Sequence, residues 1–231
     1  NLNLIIQELD PVYIISERDL SEITEGKTIN FSHHKDLKIA DEEINKYQLE
    51  VTYLNPTNRE DLSVILYTSG STGVPKGVML SNQNTLLTIG NIIEFCKFHS
   101  TSFELVTLPL THSFGLGQIY SMLFSGGSAF IEMGMLRMKR IFQAMDEYTI
   151  TGFPTTPKGV DLILSRYSEI FRSKGRDLTG MIINSAPLSP HQTKELQSLL
   201  PHINIYVYYG LTEGSRSTFV CLSNLKEELH T

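Results

Sequence analysis

The stretch Tyr67-Thr68-Ser69-Gly70-Ser71-Thr72-Gly73-Val74-Pro75-Lys76-Gly77 joins two short apolar runs, at residues 63–67 and 77–80. Gly70 and Gly73 allow backbone conformations that are closed to other residues, so successive N–H groups can point at one anion. Hydroxyl groups add hydrogen-bond donors at Thr68, Ser69, Ser71 and Thr72. Lys76 adds a point charge that suits a phosphate group. The stretch therefore predicts a phosphate-binding loop that follows a strand.

Two other interpretations of this loop are weaker. A Walker-type P-loop has Gly directly before its Lys and Ser or Thr directly after it. Here Pro75 precedes Lys76 and Gly77 follows it, which disfavours a phosphotransferase of the P-loop type. A flexible surface linker also contains Gly and Ser, but a linker is not usually placed between two apolar runs with a lysine at its end.

The composition is that of a globular protein. The 231 residues are enough for one or two domains, and 41% of them are hydrophobic. The net charge of −6 disfavours a nucleic-acid partner. We find no apolar run long enough to predict a transmembrane segment and no secretory signal. The two cysteines form no disulfide framework or metal-ligand spacing, which favours a cytoplasmic location.

Apolar periodicity predicts that strands alternate with helices from residue 61 onward. Before that point the pattern predicts a helix over residues 1–9, a strand over 12–15, and mostly loops over 16–59. The predicted strands are 63–67, 77–80, 104–108, 128–132, 149–153, 180–184 and 204–208, and the predicted helices are 82–98, 114–124, 136–148, 156–173 and 190–200. Such alternation predicts an α/β fold with a largely parallel sheet.

In such folds ligands bind beyond the carboxyl ends of the strands. Three loops follow predicted strands at such ends, after Tyr67, after Asn184 and after Tyr208. We therefore expect these three loops to converge on one ligand.

The segment from Tyr67 to Ser81, YTSGSTGVPKGVMLS, resembles the phosphate-loop signature of the adenylate-forming superfamily. Members of that superfamily include acyl-CoA and aryl-CoA synthetases, adenylation domains of peptide synthetases, and beetle luciferases. The resemblance implies the αβαβα-type N-terminal domain of these enzymes, with largely parallel β-sheets flanked by helices. It also implies that ATP and Mg²⁺ bind near the loop.

Two further segments resemble motifs of the superfamily in the expected order. The first is LPLTHSFGLG at residues 108–117, in which His112 corresponds to a residue near the carboxylate and the α-phosphate. Taken alone, a histidine at a helix start is more often a cap or a buried polar group. The second is YYGLTE at residues 208–213, which could by itself simply cap the next element.

The residue types of the second motif suit a nucleotide. Tyr209 offers a flat face for adenine, Gly210 allows a tight turn, Thr212 can donate to the α-phosphate, and Glu213 is an oxygen ligand for Mg²⁺. A weaker third segment, Asn184-Ser185-Ala186-Pro187-Leu188, resembles a turn that borders adenine. It departs from the superfamily because Asn184 and Ser185 stand where Gly is common.

The resemblance gives a set of predicted site residues. The predicted catalytic residues are Lys76, His112, Thr212 and Glu213, and Glu213 is also the predicted metal ligand. The predicted nucleotide-binding residues are Thr68, Ser69, Gly70, Ser71, Thr72, Gly73, Lys76, Ser185, Ala186, Pro187, Tyr208, Tyr209, Gly210 and Thr212.

The resemblance implies that a carboxylate is joined to the α-phosphate of ATP with release of pyrophosphate. The acyl group then passes to a thiol of CoA or of a phosphopantetheine arm, in which case an acyl carrier protein is a partner. The chain ends 18 residues after Glu213. We therefore expect a fragment, with part of an N-terminal subdomain at 1–60, the AMP-binding core at 61–231, no small C-terminal domain, and weak activity on its own.

The acid is predicted to lack an α-amine. Amino-acid-activating members usually place Asp directly after the Phe of the first motif, and this chain has Gly115 after Phe114. A fatty or aryl acid is therefore favoured, with an amino-acid-activating domain and a non-catalytic nucleotide-binding module as alternatives. The candidate acyl-pocket residues are Phe114, Leu116, Gly117, Phe153, Thr155 and Ser185.

Overall fold

The computed structural model describes residues 58–68, 74–132 and 134–224, together with Ile5, Leu9 and the short strands β1 (Ile14–Ser16) and β2 (Thr28–Asn30). The chain divides into two compact units, Asn1–Thr57 and Asn58–Thr231. In the first unit Ile5 and Leu9 are helical, and β1 and β2 pair in parallel. Most of the predicted loop region 16–59 lies outside the described residues.

The second unit begins with an antiparallel hairpin. Strand β3 (Leu62–Thr68) pairs with β4 (Lys76–Ser81), and Thr68 lies opposite Lys76 at the end that carries the connecting loop. Both strands were predicted, but not their antiparallel pairing. Residues 69–73 of the connecting loop lie outside the described part of the chain.

A mixed sheet forms the centre of this unit. Its strands are β5 (Phe103–Val106), β6 (Ser128–Ile131), β7 (Gly180–Ile183), β8 (Asn204–Tyr209) and β9 (Thr218–Cys221). β6 pairs with β5 and β7 with β8 in parallel, whereas β9 runs antiparallel to β8. Parallel bridges through Gly152 join β5 to β7. The sequence patterns did not predict β9.

The predicted strand at 149–153 does not form a continuous strand in the structure. Only isolated bridges at Gly152 and Thr155 connect this segment to its neighbours. Pro154 stands between them and has no N–H group to donate to a ladder, so regular pairing is interrupted.

Helices follow the strands much as the periodicity predicts. They are α1 (Asn82–Cys96), α2 (Ser113–Ser125), α3 (Met138–Glu147), α4 (Pro157–Leu162), α5 (Ser168–Lys174) and α6 (Pro190–Leu199). The predicted helix 156–173 is divided between α4 and α5 by a π-helical turn, Ile163–Tyr167. Single 3₁₀ turns are Met135–Arg137, Gly175–Asp177 and Leu222–Asn224.

Local sequence sets the ends of the best-predicted helix. Ser81 caps α1, and its side chain and that of Asn84 exchange hydrogen bonds with backbone N–H groups in a capping box. The helix ends at Lys97, which has a left-handed conformation with φ of 59°. No helix in the described ranges is both long and apolar enough to cross a membrane.

The two faces of the sheet carry different cores, because successive side chains of a strand point to opposite faces. On one face Leu105, Met181, Ile183 and Ile205 join a large cluster with residues of α3 to α6. We call this the apolar face. On the other face Ile182, Tyr206 and Tyr208 pack with residues of α1 and α2 in a smaller cluster. We call this the aromatic face.

Candidate functional site

The site lies at one edge of the mixed sheet. Because β5, β6, β7 and β8 run in parallel, their carboxyl ends meet at the same edge. The predicted motifs around His112, Ser185 and Glu213 all follow strands at this edge. The topology therefore brings together two of the three predicted loops and the His112 motif.

The third predicted loop starts from the hairpin. The Thr68 hydroxyl donates to the carbonyl oxygen of Lys76 at 3.5 Å, which closes the base of the loop. Lys76 is exposed at the first position of β4, and it forms no ion pair with the described residues. Its ammonium group is thus available to an anion that the loop would bind. The roles of Ser69, Gly70, Ser71, Thr72 and Gly73 stay predictions.

His112 occupies the N-cap position of α2 with extended backbone angles. Its side chain makes no capping hydrogen bond, and it is exposed. The imidazole is therefore neither a helix cap nor a buried polar group, which were the two structural explanations for a histidine at this point. It remains accessible to a ligand at the helix start.

Packing by itself requires a glycine at position 115. A Cβ atom there would lie 2.9 Å from the Pro109 carbonyl carbon and 3.0 Å from the Leu108 oxygen, closer than side chains tolerate. The first turn of α2 therefore requires glycine against the preceding segment. The identity of this residue follows from sterics, so it is weaker evidence about the substrate than the sequence pattern suggested.

The turn after β7 contains backbone strain. Ser185 has φ of 83°, a region that glycine adopts freely and other residues rarely do. This is the position where the superfamily commonly has Gly, and the backbone keeps the glycine-like conformation although a serine occupies it. Ser185, Ala186 and Pro187 are exposed at the edge of the sheet.

Tyr208 and Tyr209, the last two residues of β8, differ in exposure. Tyr209 is 66% exposed, so its ring is free to stack on a ligand. Tyr208 is buried on the aromatic face, its ring edge-on to Phe114 at 5.2 Å. Burial raises the pKa of Tyr208 to about 12, partly offset by Arg216 and by a hydrogen bond from Asn184. The ring of Tyr208 thus belongs to the core.

The loop between β8 and β9 is tightly folded. Leu211 N–H donates to the Gly214 carbonyl at 3.2 Å, and the Ser217 hydroxyl donates to the same oxygen at 2.7 Å. Gly210 is needed here, because a Cβ atom would collide with the backbone nitrogen of Arg216. This fold leaves Thr212 partly exposed and Glu213 exposed.

A cavity of about 270 Å³ connects this loop to the hairpin and to helices α1 and α2. Glu213 lines it together with Ser113, Leu116 and Gly117 of α2. Its apolar wall is formed by Val64, Leu66, Leu80, Leu87 and Ile89. The structure therefore places the predicted metal ligand beside two of the predicted acyl-pocket residues.

The other predicted acyl-pocket residues are not in this lining. The prediction for Phe153 is wrong, because its side chain is fully buried on the apolar face at 5.5 Å from the Phe171 ring. Phe114 lies behind the cavity wall against Tyr208, and Thr155 is also buried. Alternation along the chain could not show which of these side chains point into the core.

The family is shown by comparison with known proteins. A family model described as AMP-binding enzyme matches residues 2–230 of the chain. The chain belongs to the AMP-binding enzyme family.

Curated relatives within this family are CoA ligases. A 4-coumarate--CoA ligase-like 6 from Arabidopsis thaliana is 27% identical over 165 residues, which cover 68% of this chain and 29% of that protein. Peroxisomal OPC-8:0-CoA ligase 1 from the same plant is 29% identical over 171 residues, again covering 68% and 29%. The match spans less than a third of the length of these relatives.

Solved structures confirm the predicted fold class. ATP-bound MatB from Rhodopseudomonas palustris superposes with a TM-score of 0.78 at 23% identity, covering 97% of this chain and 45% of MatB. The O-succinylbenzoate Coenzyme A Synthetase MenE from Bacillus subtilis, in complex with AMP, gives 0.76 at 15% identity, covering 99% and 56%.

A divalent cation suits the exposed carboxylate of Glu213. Mg²⁺ is usually held by one or two carboxylates together with substrate phosphates and water. Among the described residues no three His, Cys, Asp or Glu side chains form a cluster that could hold a metal alone. Glu213 alone would therefore need phosphate oxygens and water to complete the coordination of Mg²⁺, and its role as a metal ligand stays a prediction.

Arg216 is a site residue that the sequence patterns missed. It lines the cavity yet is only 3% exposed, and its backbone has φ of 56°. Its guanidinium carbon lies 4.8 Å from the Tyr208 ring centre and 5.7 Å from that of Phe114. Burial lowers the pKa of Arg216. The one sequence signal was a charged residue three positions after Glu213, among the small residues Gly214, Ser215 and Ser217.

Proposed function

We propose that this chain provides the surface on which ATP and a carboxylic acid react to form an acyl-adenylate and pyrophosphate. In the complete enzyme the acyl group then passes to the thiol of CoA. The observation that carries the proposal is the position of Glu213, which lines one cavity with Leu116 and Gly117 of α2. The names of the CoA ligases among its relatives support the choice of a CoA thiol.

The chemical problem is to bring a carboxylate close to a polyanion. A carboxylate oxygen attacks the α-phosphorus, and the bond from that phosphorus to the bridging oxygen breaks, so that pyrophosphate leaves with the electron pair. Bound Mg²⁺ would neutralise phosphate charge during this step. The catalytic contribution of the chain is positioning and charge stabilisation.

Each accessible polar group has a role in this scheme. Lys76, at the base of the Gly/Ser/Thr loop, stabilises the charge of the leaving pyrophosphate. His112 and Thr212 hold the carboxylate and the α-phosphate, and the exposed ring of Tyr209 stacks on adenine. The turn at Ser185 borders the base from the neighbouring strand.

The acid is proposed to be a fatty or aryl acid without an α-amine. The apolar wall of the cavity, which includes Leu66, Leu80 and Ile89, suits an acyl or aryl group. The relative named for 4-coumarate supports an aryl acid. An amino acid would need a carboxylate partner for its ammonium group, and Gly115 offers none.

The decisive experiment is ATP–pyrophosphate exchange against a panel of fatty, aryl and amino acids. The exchange assay is run on this chain and on any longer natural polypeptide that contains it. We expect exchange with at least one acid that lacks an α-amine. Lys76→Ala should lower the exchange rate by about 10²–10³-fold, as removal of a charge-stabilising donor does in other enzymes.

A matched variant separates this effect from a general loss of charge. Lys139 is an exposed lysine on α3 that does not line the cavity with Glu213, and Lys139→Ala should leave the rate within about twofold. Glu213→Gln should raise the Mg²⁺ concentration needed for half-maximal exchange. Absence of exchange with every acid in all these proteins, or equal rates for Lys76→Ala and Lys139→Ala, contradicts the proposal.

A further inference from the structure

The side chain of Arg216 joins the loop after β8 to the first turn of α2. Its Nη2 donates a hydrogen bond to the carbonyl oxygen of Phe114 at 3.1 Å. Phe114 is the second residue of α2 and comes two positions after His112, whereas Arg216 comes three positions after Glu213. This hydrogen bond therefore connects the two segments that carry these predicted site residues, although the bonded residues are 102 positions apart.

The guanidinium group is held from several sides. Its carbon lies 4.8 Å from the ring centre of Tyr208, near the end of β8, and 5.7 Å from that of Phe114. Both aromatic contacts favour a cation. Gly117 of α2 packs against the group, since a Cβ atom there would lie 3.0 Å from the guanidinium carbon. These contacts leave Arg216 only 3% exposed and fix where its side chain lies.

The backbone of the loop links the position of Arg216 to that of Glu213. The N–H group of Leu211 donates to the Gly214 carbonyl oxygen at 3.2 Å, which closes a turn around Glu213. Gly210 lies directly against Arg216, because a Cβ atom on Gly210 would lie 3.1 Å from the Arg216 Cα. The turn and Arg216 thus form one packed unit. A shift of the Arg216 side chain would therefore move the carboxylate of Glu213 relative to α2.

Packing alone does not explain an arginine at this position. Its Nε and Nη1 are buried and have no hydrogen-bond partner among the described residues. In the described ranges no carboxylate lies within ion-pair distance of the guanidinium group. A buried charge without a counter-ion costs free energy, and an apolar side chain of similar length would avoid that cost. The arginine therefore suits a role that depends on its directional hydrogen bond to Phe114.

We propose that Arg216 is a positioning residue that holds the turn with Glu213 against the start of α2, so that Glu213 and His112 act on the same bound nucleotide. The inference rests on the proposed function, which assigns the α-phosphate to His112 and a divalent cation to Glu213. Arg216 touches neither the nucleotide nor the acid in this scheme and acts through Glu213. Its contact with α2 lies at the wall of the cavity that Gly117 and Glu213 both line.

The first test measures how Arg216→Met changes ATP–pyrophosphate exchange. Methionine keeps an unbranched side chain but has no charge and no donor. The Mg²⁺ concentration for half-maximal exchange should rise by about 10–100-fold, the usual effect of removing a group that orients a metal ligand. The KM for the acid should stay within about threefold. Arg172→Met, at an exposed arginine of α5, is the matched control and should change neither value. An unchanged Mg²⁺ requirement, or an equal rise in the KM for the acid, overturns the inference.

A double-mutant cycle shows whether Arg216 acts through Glu213. In Glu213→Gln the carboxylate is already lost, so adding Arg216→Met should raise the Mg²⁺ requirement by less than about twofold. A merely structural role would give additive effects, and additivity overturns the inference. Arg216→Lys keeps a charge and one donor for the Phe114 carbonyl, so its rise should be only about threefold. If urea titration shows that Arg216→Met does not fold, Arg216→Lys replaces it, and Glu213→Gln should remove the threefold rise.

A binding measurement separates failure of this inference from failure of the proposed function. The probe is Mn²⁺ with α,β-methylene-ATP, an analogue that cannot release pyrophosphate, and bound Mn²⁺ is measured by electron paramagnetic resonance. Weaker Mn²⁺ binding in Arg216→Met, with no further loss when Glu213→Gln is also present, supports the inference even if no acid gives exchange. Exchange together with an additive cycle overturns the inference and leaves the proposed function standing. No Mn²⁺ binding with the analogue in the unaltered protein overturns the inference as well.

Discussion

The two faces of the central sheet differ in how completely their buried groups are satisfied. The apolar face packs Ile, Leu, Met, Val and Phe side chains from the sheet and from α3 to α6. The aromatic face adds Glu104 and Arg216 to a smaller cluster of aromatic and aliphatic side chains. Both of these charged residues contain buried atoms without hydrogen-bond partners among the described residues.

This difference indicates that the two faces contribute differently to stability and to binding. Burial of apolar side chains stabilises the fold in proportion to the area removed from water. Unpaired buried polar atoms have the opposite effect, and proteins tolerate such exceptions mainly at functional or strained sites. Arg216 lines the cavity that contains Glu213, whereas Glu104 lines a separate cavity beside Cys96 and Ile182.

The largest expected loss of stability comes from removing a large side chain from the core on the apolar face. Phe171 is fully buried on α5 against Phe153, and Phe171→Ala should lower the free energy of unfolding by about 3–5 kcal/mol through lost burial and a cavity. Phe124, 61% exposed on α2, provides the control, and Phe124→Ala should change stability by less than about 0.5 kcal/mol. Urea unfolding measures both, and similar losses for the two variants would contradict this account.

The next largest expected effect concerns the carboxyl group of Glu104, which is buried on the aromatic face. Because the folded-state pKa of Glu104 is about 8 and its ordinary value is 4.5, the folded chain holds this proton more tightly than the unfolded chain. The stability that this proton contributes is complete below pH 4.5 and is lost as pH rises to about 8, at up to about 1.4 kcal/mol per pH unit.

Glu104→Gln tests this explanation, because the amide is neutral at every pH. Its free energy of unfolding should show a clearly smaller decrease between pH 5 and pH 8 than that of the unaltered chain. The measurement is a series of urea titrations over this range. An unchanged slope would mean that other groups cause the pH dependence.

A smaller effect is expected from the contact between Gly117 and Arg216. Gly117→Ala would place a methyl group against Nη1 of Arg216, and we expect a loss of about 1–3 kcal/mol from the forced displacement. Gly90, exposed on α1 with no atom within 4 Å of a Cβ, is the matched glycine. Gly90→Ala should instead stabilise by about 0.5–1 kcal/mol. The two substitutions should change the melting temperature in opposite directions. A change in the same direction would contradict this account.

The smallest expected change in stability concerns the turn after β7, at the edge of the sheet where the candidate site lies. Ser185 holds φ of 83° without the freedom of glycine, and Ser185→Gly should stabilise the fold by at most about 1 kcal/mol. The gain is limited because glycine also gives the unfolded chain more freedom. A loss of stability would show that the serine side chain contributes an interaction that outweighs the strain.

The sequence by itself determined the family-defining loop and most of the helices. Periodicity and capping are local, so Ser81, Asn84 and the apolar positions of α1 were sufficient to place that helix. The Tyr67–Ser81 segment likewise indicated the family that the comparisons confirm. The structure places Lys76, His112 and Glu213 at exposed positions, and their roles stay predictions.

Only the tertiary structure decided which buried groups meet. The antiparallel pairings of β3 with β4 and of β8 with β9, like the interruption at Pro154, depend on neighbours that periodicity does not specify. The contact of Arg216 with the Phe114 carbonyl joins residues 102 positions apart. Burial and hydrogen bonding at such separations follow from the packing of whole elements. A local pattern can therefore identify Gly117 as a helix glycine, but not as the place against which the buried guanidinium of Arg216 packs.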